Sequence, residues 1–276
     1  MFIKSIIIIL SLLLASVSLH AAERLDYLIE YKGLLSGYKW TDVSRASIAT
    51  SRLADCAGRG SCMVSTAKLS SKGYKVLEAV FKVRFHYSSY YQLNPSRTLA
   101  FETREKKYSK QYMPYGYKHS LAVIPKGAST TDYYKFGSKG EPLPAAIKPF
   151  VATDHKSAEN IRVKKVKHKP VTKNSIDRMT LLQSVRSAPL KVGYKASFTG
   201  TDGRNKLEFR LAVVAAEDVK AAGRSWKTWK VRIDEIEKGE KPVSLYAWIS
   251  MESRHIPVFI EIESSYGEAR FHLKSF

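Results

Sequence analysis

Two serine–lysine pairs, Ser36-x-x-Lys39 and Ser65-x-x-Lys68, have the spacing of serine acyl enzymes, in which a lysine relays the serine proton. Their companion Ser-Asp-Asn and Lys-Thr-Gly elements are missing, and a chain rich in both residues produces such pairs by chance. Neither a Gly-x-Ser-x-Gly elbow nor a His-Glu-x-x-His zinc helix occurs. Glu261 and Glu263 would share one face of a strand, as paired carboxylates for glycoside chemistry must, yet such pairs on a sheet more often meet solvent or lysine. His86, His119, His155, His168, His255 and His272 show no paired ligand spacing, so neither a metal site nor a cofactor is expected.

Cys56 and Cys62 enclose five residues, two of them glycine. A redox pair would enclose two, and two thiols without a nearby histidine make a poor zinc site. In an oxidising compartment this spacing predicts a local disulfide.

Binding chemistry has better candidates. Tyr112, Tyr115 and Tyr117 alternate with lysines, and such mixing grips sugars by stacking and anions by charge, or decorates the outer face of a twisted strand. Arg162, Lys164, Lys165, Lys167 and Lys169 form a basic strip, read either as a solvated linker or as an anion-binding strand, for which Val163, Val166 and Val171 leave room. Arg254 sits in a turn beside Glu252, where it either braces the turn through a carboxylate or faces a ligand.

The elements that must position these groups are mostly strands. Leu77, Ala79, Phe81, Val83, Phe85 and Tyr87 alternate with polar residues, as a half-buried strand requires. The same period marks Leu25–Tyr31, Leu207–Val213, Trp229–Ile233, Leu245–Ile249, Val258–Ile262 and Phe271–Leu273. Turn signals at Gly33–Gly37, Asn94-Pro95, Thr201–Gly203, Lys238-Gly239 and Tyr266-Gly267 separate them. One helix is expected: Asn174 or Ser175 caps it, Asp177 lies in its first turn, and Ile176, Met179, Leu182 and Val185 recur at helical spacing. The fold class is therefore all-β, an antiparallel and strongly curled sheet or half-open barrel with one short plugging helix.

Residues 1–21 have the three parts of a secretory signal peptide: Lys4, the apolar run Ile6–Leu14, and small residues around Ala21 and Ala22. The run is shorter than a spanning helix needs, and no later segment is apolar enough to cross a bilayer as a helix. Export predicts a periplasmic protein of one mostly β domain, residues 22–276, with a basic Pro/Lys-rich connection at about 137–173. The formal charge of +21 favours anionic partners, and export leaves lipid head groups, lipopolysaccharide and acidic polysaccharide ahead of nucleic acid.

Four blocks carry a resemblance to the family known as domain of unknown function 3108, a group of exported bacterial proteins. They are Tyr27–Gly37, Ile176–Leu182, Ala222–Trp229 and Ala247–Pro257, with Glu252 where the family more often has Asp. The resemblance is clearest over 174–276 and looser over 22–136. It implies a periplasmic setting and a mostly β fold, and brings no established catalytic residues. The expected function is non-catalytic binding of an envelope amphiphile or acidic glycan. The alternatives are an enzyme acting on envelope polysaccharide and an assembly or scaffold protein with a protein partner.

Overall fold

A computed structural model of the chain describes residues 23–109, 115–151, 161–264 and 267–276. The signal segment, Tyr112 and His155 lie outside the described residues. A first meander of strands runs through β1 (Glu23–Gly33), β2 (Thr41–Leu53), β3 (Cys62–Ser70), β4 (Phe81–Tyr91), β5 (Thr98–Ser109), β6 (Tyr115–Val123), β7 (Thr130–Gly137) and β8 (Arg162–Pro170). A second runs through β9 (Lys195–Thr201), β10 (Lys206–Ala221), β11 (Arg224–Glu237), β12 (Val243–Ser250), β13 (Pro257–Ser264) and β14 (Gly267–Ser275). Because β14 pairs with β1, the two meanders join into one antiparallel sheet of 14 strands, with β8 and β9 at its ends. The ends do not pair, so the sheet is not closed into a barrel.

Period-two sequence produces this sheet directly. In β10, Leu207, Phe209, Leu211 and Val213 are buried while Glu208 and Arg210 turn away. Each such buried side chain contributes about 1.5–3 kcal/mol. The face they occupy also receives the helix α2 (Arg178–Ser187), whose Leu181 and Val185 join their cluster with Val231, Ile233, Ala247 and Ile249. We call this the inner face.

The curl follows from contacts between strands far apart in the sheet. Helix α2 touches β10–β12 on one side, and on the other its Asp177 and Gln183 reach Ser89 of β4 and Ser65 of β3. The β9–β10 turn lands on the opposite end of the sheet. A Cβ placed on Gly203 would stand 2.8 Å from the Ala122 methyl and 3.0 Å from the Tyr133 ring, and its φ of +85° also favours glycine. A strongly curled sheet with a short plugging helix is thus the fold.

Three local expectations need correction. The alternation from Leu77 to Tyr87 does not make one strand: Lys75–Val80 is the short helix α1, and β4 begins at Phe81. The Glu78 carboxylate accepts from Ser71 at 2.6 Å and Arg84 at 2.7 Å, and its N–H donates to Tyr74, so tertiary contacts fix a helical turn there. Asn174 and Ser175 do not cap α2; Asp177 does, accepting from the N–H groups of Met179 and Thr180 at 2.7 and 2.9 Å. The stretch read as a connection is not a plain linker. Ile147, Phe150 and Val151 in it pack on the outer faces of β4–β7, and it ends in β8. Cys56 and Cys62 are bridged, with Cα atoms 6.0 Å apart, and belong to that same outer cluster.

Candidate binding sites

The basic strip is an edge strand whose register sorts its charges. Lys165, Lys167 and Lys169 stand opposite Lys135, Tyr133 and Thr131 of β7. Tyr133 in turn stands opposite Ala122, Ala122 opposite Phe101, and Phe101 opposite Ser89, the partner of Asp177. The three lysines therefore share the inner face, about 7 Å apart, two residues along a strand. The pairing jumps from Lys165 to Val163, which leaves Lys164 as a bulge residue, and Arg162 lies across from Gly137 at the strand's start.

Among the described residues no carboxylate pairs with these three lysines, and Arg204 beside them is paired with Asp202 at 3.5 Å. The Lys167 ammonium is held below its ordinary value by the positive charges of Lys165 and Lys169, with smaller effects from desolvation, Lys135 and Arg204. Arg204 reaches the row because Gly203 seats the β9–β10 turn on Phe101, Ala122 and Tyr133. His168, on the other face, bonds Asp132 at 2.7 Å. A lysine-studded edge also resists pairing with a second sheet edge.

The remaining candidates fall elsewhere. Tyr115 and Tyr117 lie on β6 across from Lys107 and Lys106, while Tyr112 is outside the described residues. Arg254 is engaged with Glu23, not Glu252: its guanidinium donates to Glu23 at 3.0 Å, and its carbonyl accepts from Arg186. Glu252 pairs with Arg224 instead. Burial raises the Glu23 pKa, but the hydrogen bonds and charges of Arg186 and Arg254 outweigh it and hold the carboxyl below its ordinary value. This knot ties the start of β1 to the end of α2 and to the turn after β12.

The enzyme-like motifs come apart in the fold. Ser65 is buried and bonded to Thr50 and Tyr91 at 2.8 Å, whereas Lys68, three residues along the strand, faces the other side. Ser36 bonds the backbone of Gly33. Glu261 is held by Arg270 at 2.8 Å. His119 and Glu102 form a buried hydrogen-bonded pair at 2.6 Å, with the His119 ring against Phe136.

Sequence reasoning missed a cleft of about 1000 Å³ on the outer face of β14, β1, β2 and β3, walled by Lys72–Tyr74. On one flank the outer face is covered by Ile147, Phe150 and Val151. On the other, the far half of the β10–β11 hairpin lies on Trp248 and Phe259, and Glu217 accepts from the Trp248 indole at 2.9 Å. The cleft between carries five cationic side chains, Arg24, Arg45, Lys68, Lys72 and Lys274, against the two carboxylates of Asp26 and Asp42. Its signal was present as outward positions of alternating strands, but only the register brings them together.

These features define the molecule only at the level of fold: an open, curled β-sheet plugged by a helix. Residues 148–274 match the model of the family described as protein of unknown function DUF3108, which takes in β8, α2, β9–β13 and β14 up to Lys274, and leaves the opening block at Tyr27–Gly37 outside. The chain is similar to the crystal structure of a β-barrel-like protein of domain of unknown function DUF1849 from Brucella abortus. They share 10% identity over 91% of this chain and 95% of that one, with a TM-score of 0.52. A Bacteroides fragilis protein with a YmcC-like fold aligns at 11% identity over 91% and 93%, with a TM-score of 0.31, too distant to carry an argument. No curated protein matches the chain. Among the described residues no helix is long and apolar enough to cross a membrane.

Proposed function

We propose that this is a non-catalytic periplasmic protein, exported by a cleaved signal peptide, that binds an anionic component of the cell envelope, with acidic polysaccharide as the preferred ligand. The observation that supports it is the row Lys165, Lys167 and Lys169 on the inner face, flanked by Lys135 and Arg204. Charges repeated about every 7 Å along an edge strand suit a linear polymer with regularly spaced anions. An amphiphile held inside the sheet is a poorer fit, because α2 and its apolar partners occupy that face.

The test is binding of the purified protein to lipopolysaccharide and to an acidic polysaccharide across a salt series. Replacing Lys165, Lys167 and Lys169 together by Gln should weaken binding at least tenfold at low salt and flatten the salt dependence. Unchanged binding in that variant overturns the reading, as does turnover of the glycan. Purified native protein that starts at Met1 would remove the premise of a cleaved signal peptide.

A further inference from the structure

We propose that the outer-face cleft over β14, β1, β2 and β3 is a second site, one that takes a phosphorylated saccharide. Three ammonium groups, those of Lys68, Lys72 and Lys274, line it without an ion-pair partner among the described residues. Arg45 is positioned beside them: its Nε donates to the Tyr74 hydroxyl at 2.8 Å. That bond fixes the side chain while leaving the terminal fork, which matches a phosphate in a bidentate way. Such a cluster attracts anions but shows no preference among them.

The other groups in the cleft supply the preference. The Asp42 carboxylate also makes no ion pair among the described residues, and a carboxylate in a cationic cleft is an acceptor suited to sugar hydroxyls. Its negative charge works against a bare anion such as inorganic phosphate and favours a ligand that offers donors next to its phosphate. The volume of about 1000 Å³ lies at the upper end of the range for ligand pockets, ample for a sugar of one or two rings. The flanking faces are closed by packed segments, so the exposure of this stretch of sheet is local rather than general. None of these residues belongs to the row on β8, so either site can fail alone.

The phosphorylated saccharide has two sources, a free sugar phosphate or the head group of an envelope glycolipid. Calorimetric titration with glucosamine 6-phosphate tests the first, and co-sedimentation with phosphatidylcholine vesicles containing lipid A tests the second. Binding in either arm supports the site and names its source. Lys68→Gln, Lys72→Gln and Lys274→Gln combined should reduce that binding at least tenfold at an unchanged melting temperature, while Gln at positions 165, 167 and 169 should leave it intact. Asp42→Asn should lower the preference for glucosamine 6-phosphate over inorganic phosphate. The proposal is overturned by silence in both arms, by inorganic phosphate binding as tightly as the sugar phosphate, or by a Lys68/Lys72/Lys274 variant that binds like the wild type.

Discussion

On one side of α2, Leu181 and Val185 press into an apolar cluster supplied by β10–β12. On the other side, toward β2–β5, the same helix buries Asp177, Thr180 and Gln183. Asp177 accepts from Ser89 at 2.5 Å and from Thr98 at 3.3 Å, and Gln183 donates toward Thr50 and Ser65 at 3.4 and 3.3 Å. Burial pushes the Asp177 carboxyl above its ordinary value, and the hydrogen bonds from Ser89, Thr180, Met179 and Thr98 only partly offset this. Apolar burial is non-directional and supplies free energy across many arrangements. A buried polar network repays its desolvation only when every member is in place. The helix therefore draws its stability from the second meander and its exact seating from the first.

The largest expected effect comes from breaking the polar side. Asp177→Ala removes the cap, worth about 1–2 kcal/mol, and strands buried hydroxyl and amide groups at about 1–3 kcal/mol. A total loss of about 2–5 kcal/mol should appear in urea unfolding. Leu181→Ala, on the apolar side, should cost about 3 kcal/mol through the cavity it leaves. Leu181→Met sharpens the contrast, because a swap of similar volume should cost less than about 1.5 kcal/mol. If Leu181→Met proved as damaging as Asp177→Ala, the two sides of the helix would not differ in kind.

The same division explains what could be read in advance. Leu207–Val213 and Val258–Ile262 announce strands because their faces have one local rule, apolar in and polar out. The helix was legible from Met179 and Val185 for the same reason, yet its cap was misplaced onto Asn174 or Ser175. Asp177 earns that role from Ser89 and Thr98, which are 88 and 79 residues away. The apolar alternation through Leu77 and Ala79 lost to Glu78, whose partners Ser71 and Arg84 hold a helical turn. The basic strip was visible because its charges are consecutive. The cleft was not, since Arg45, Lys68 and Lys274 come from three strands and meet only through pairing.

The smallest expected effect concerns the knot that joins the two meanders at the helix end. Glu23 of β1 receives Arg186 at 2.6 and 2.8 Å and Arg254 at 3.0 Å. Its folded pKa lies below the ordinary 4.5 despite partial burial, because the two guanidinium groups favour the charged form. A carboxyl depressed on folding contributes stability that is fully present above its unfolded value and is lost as pH falls through the folded value. Glu23→Gln keeps the shape and removes the charge, so it should cost about 1–2 kcal/mol at neutral pH. Between about pH 5 and pH 3 the wild type should lose stability more steeply than the variant, and the two curves should converge at the acid end. Parallel curves across that window would mean that Glu23 adds no proton-linked stability, and that the polar network around Asp177 alone holds α2 to the first meander.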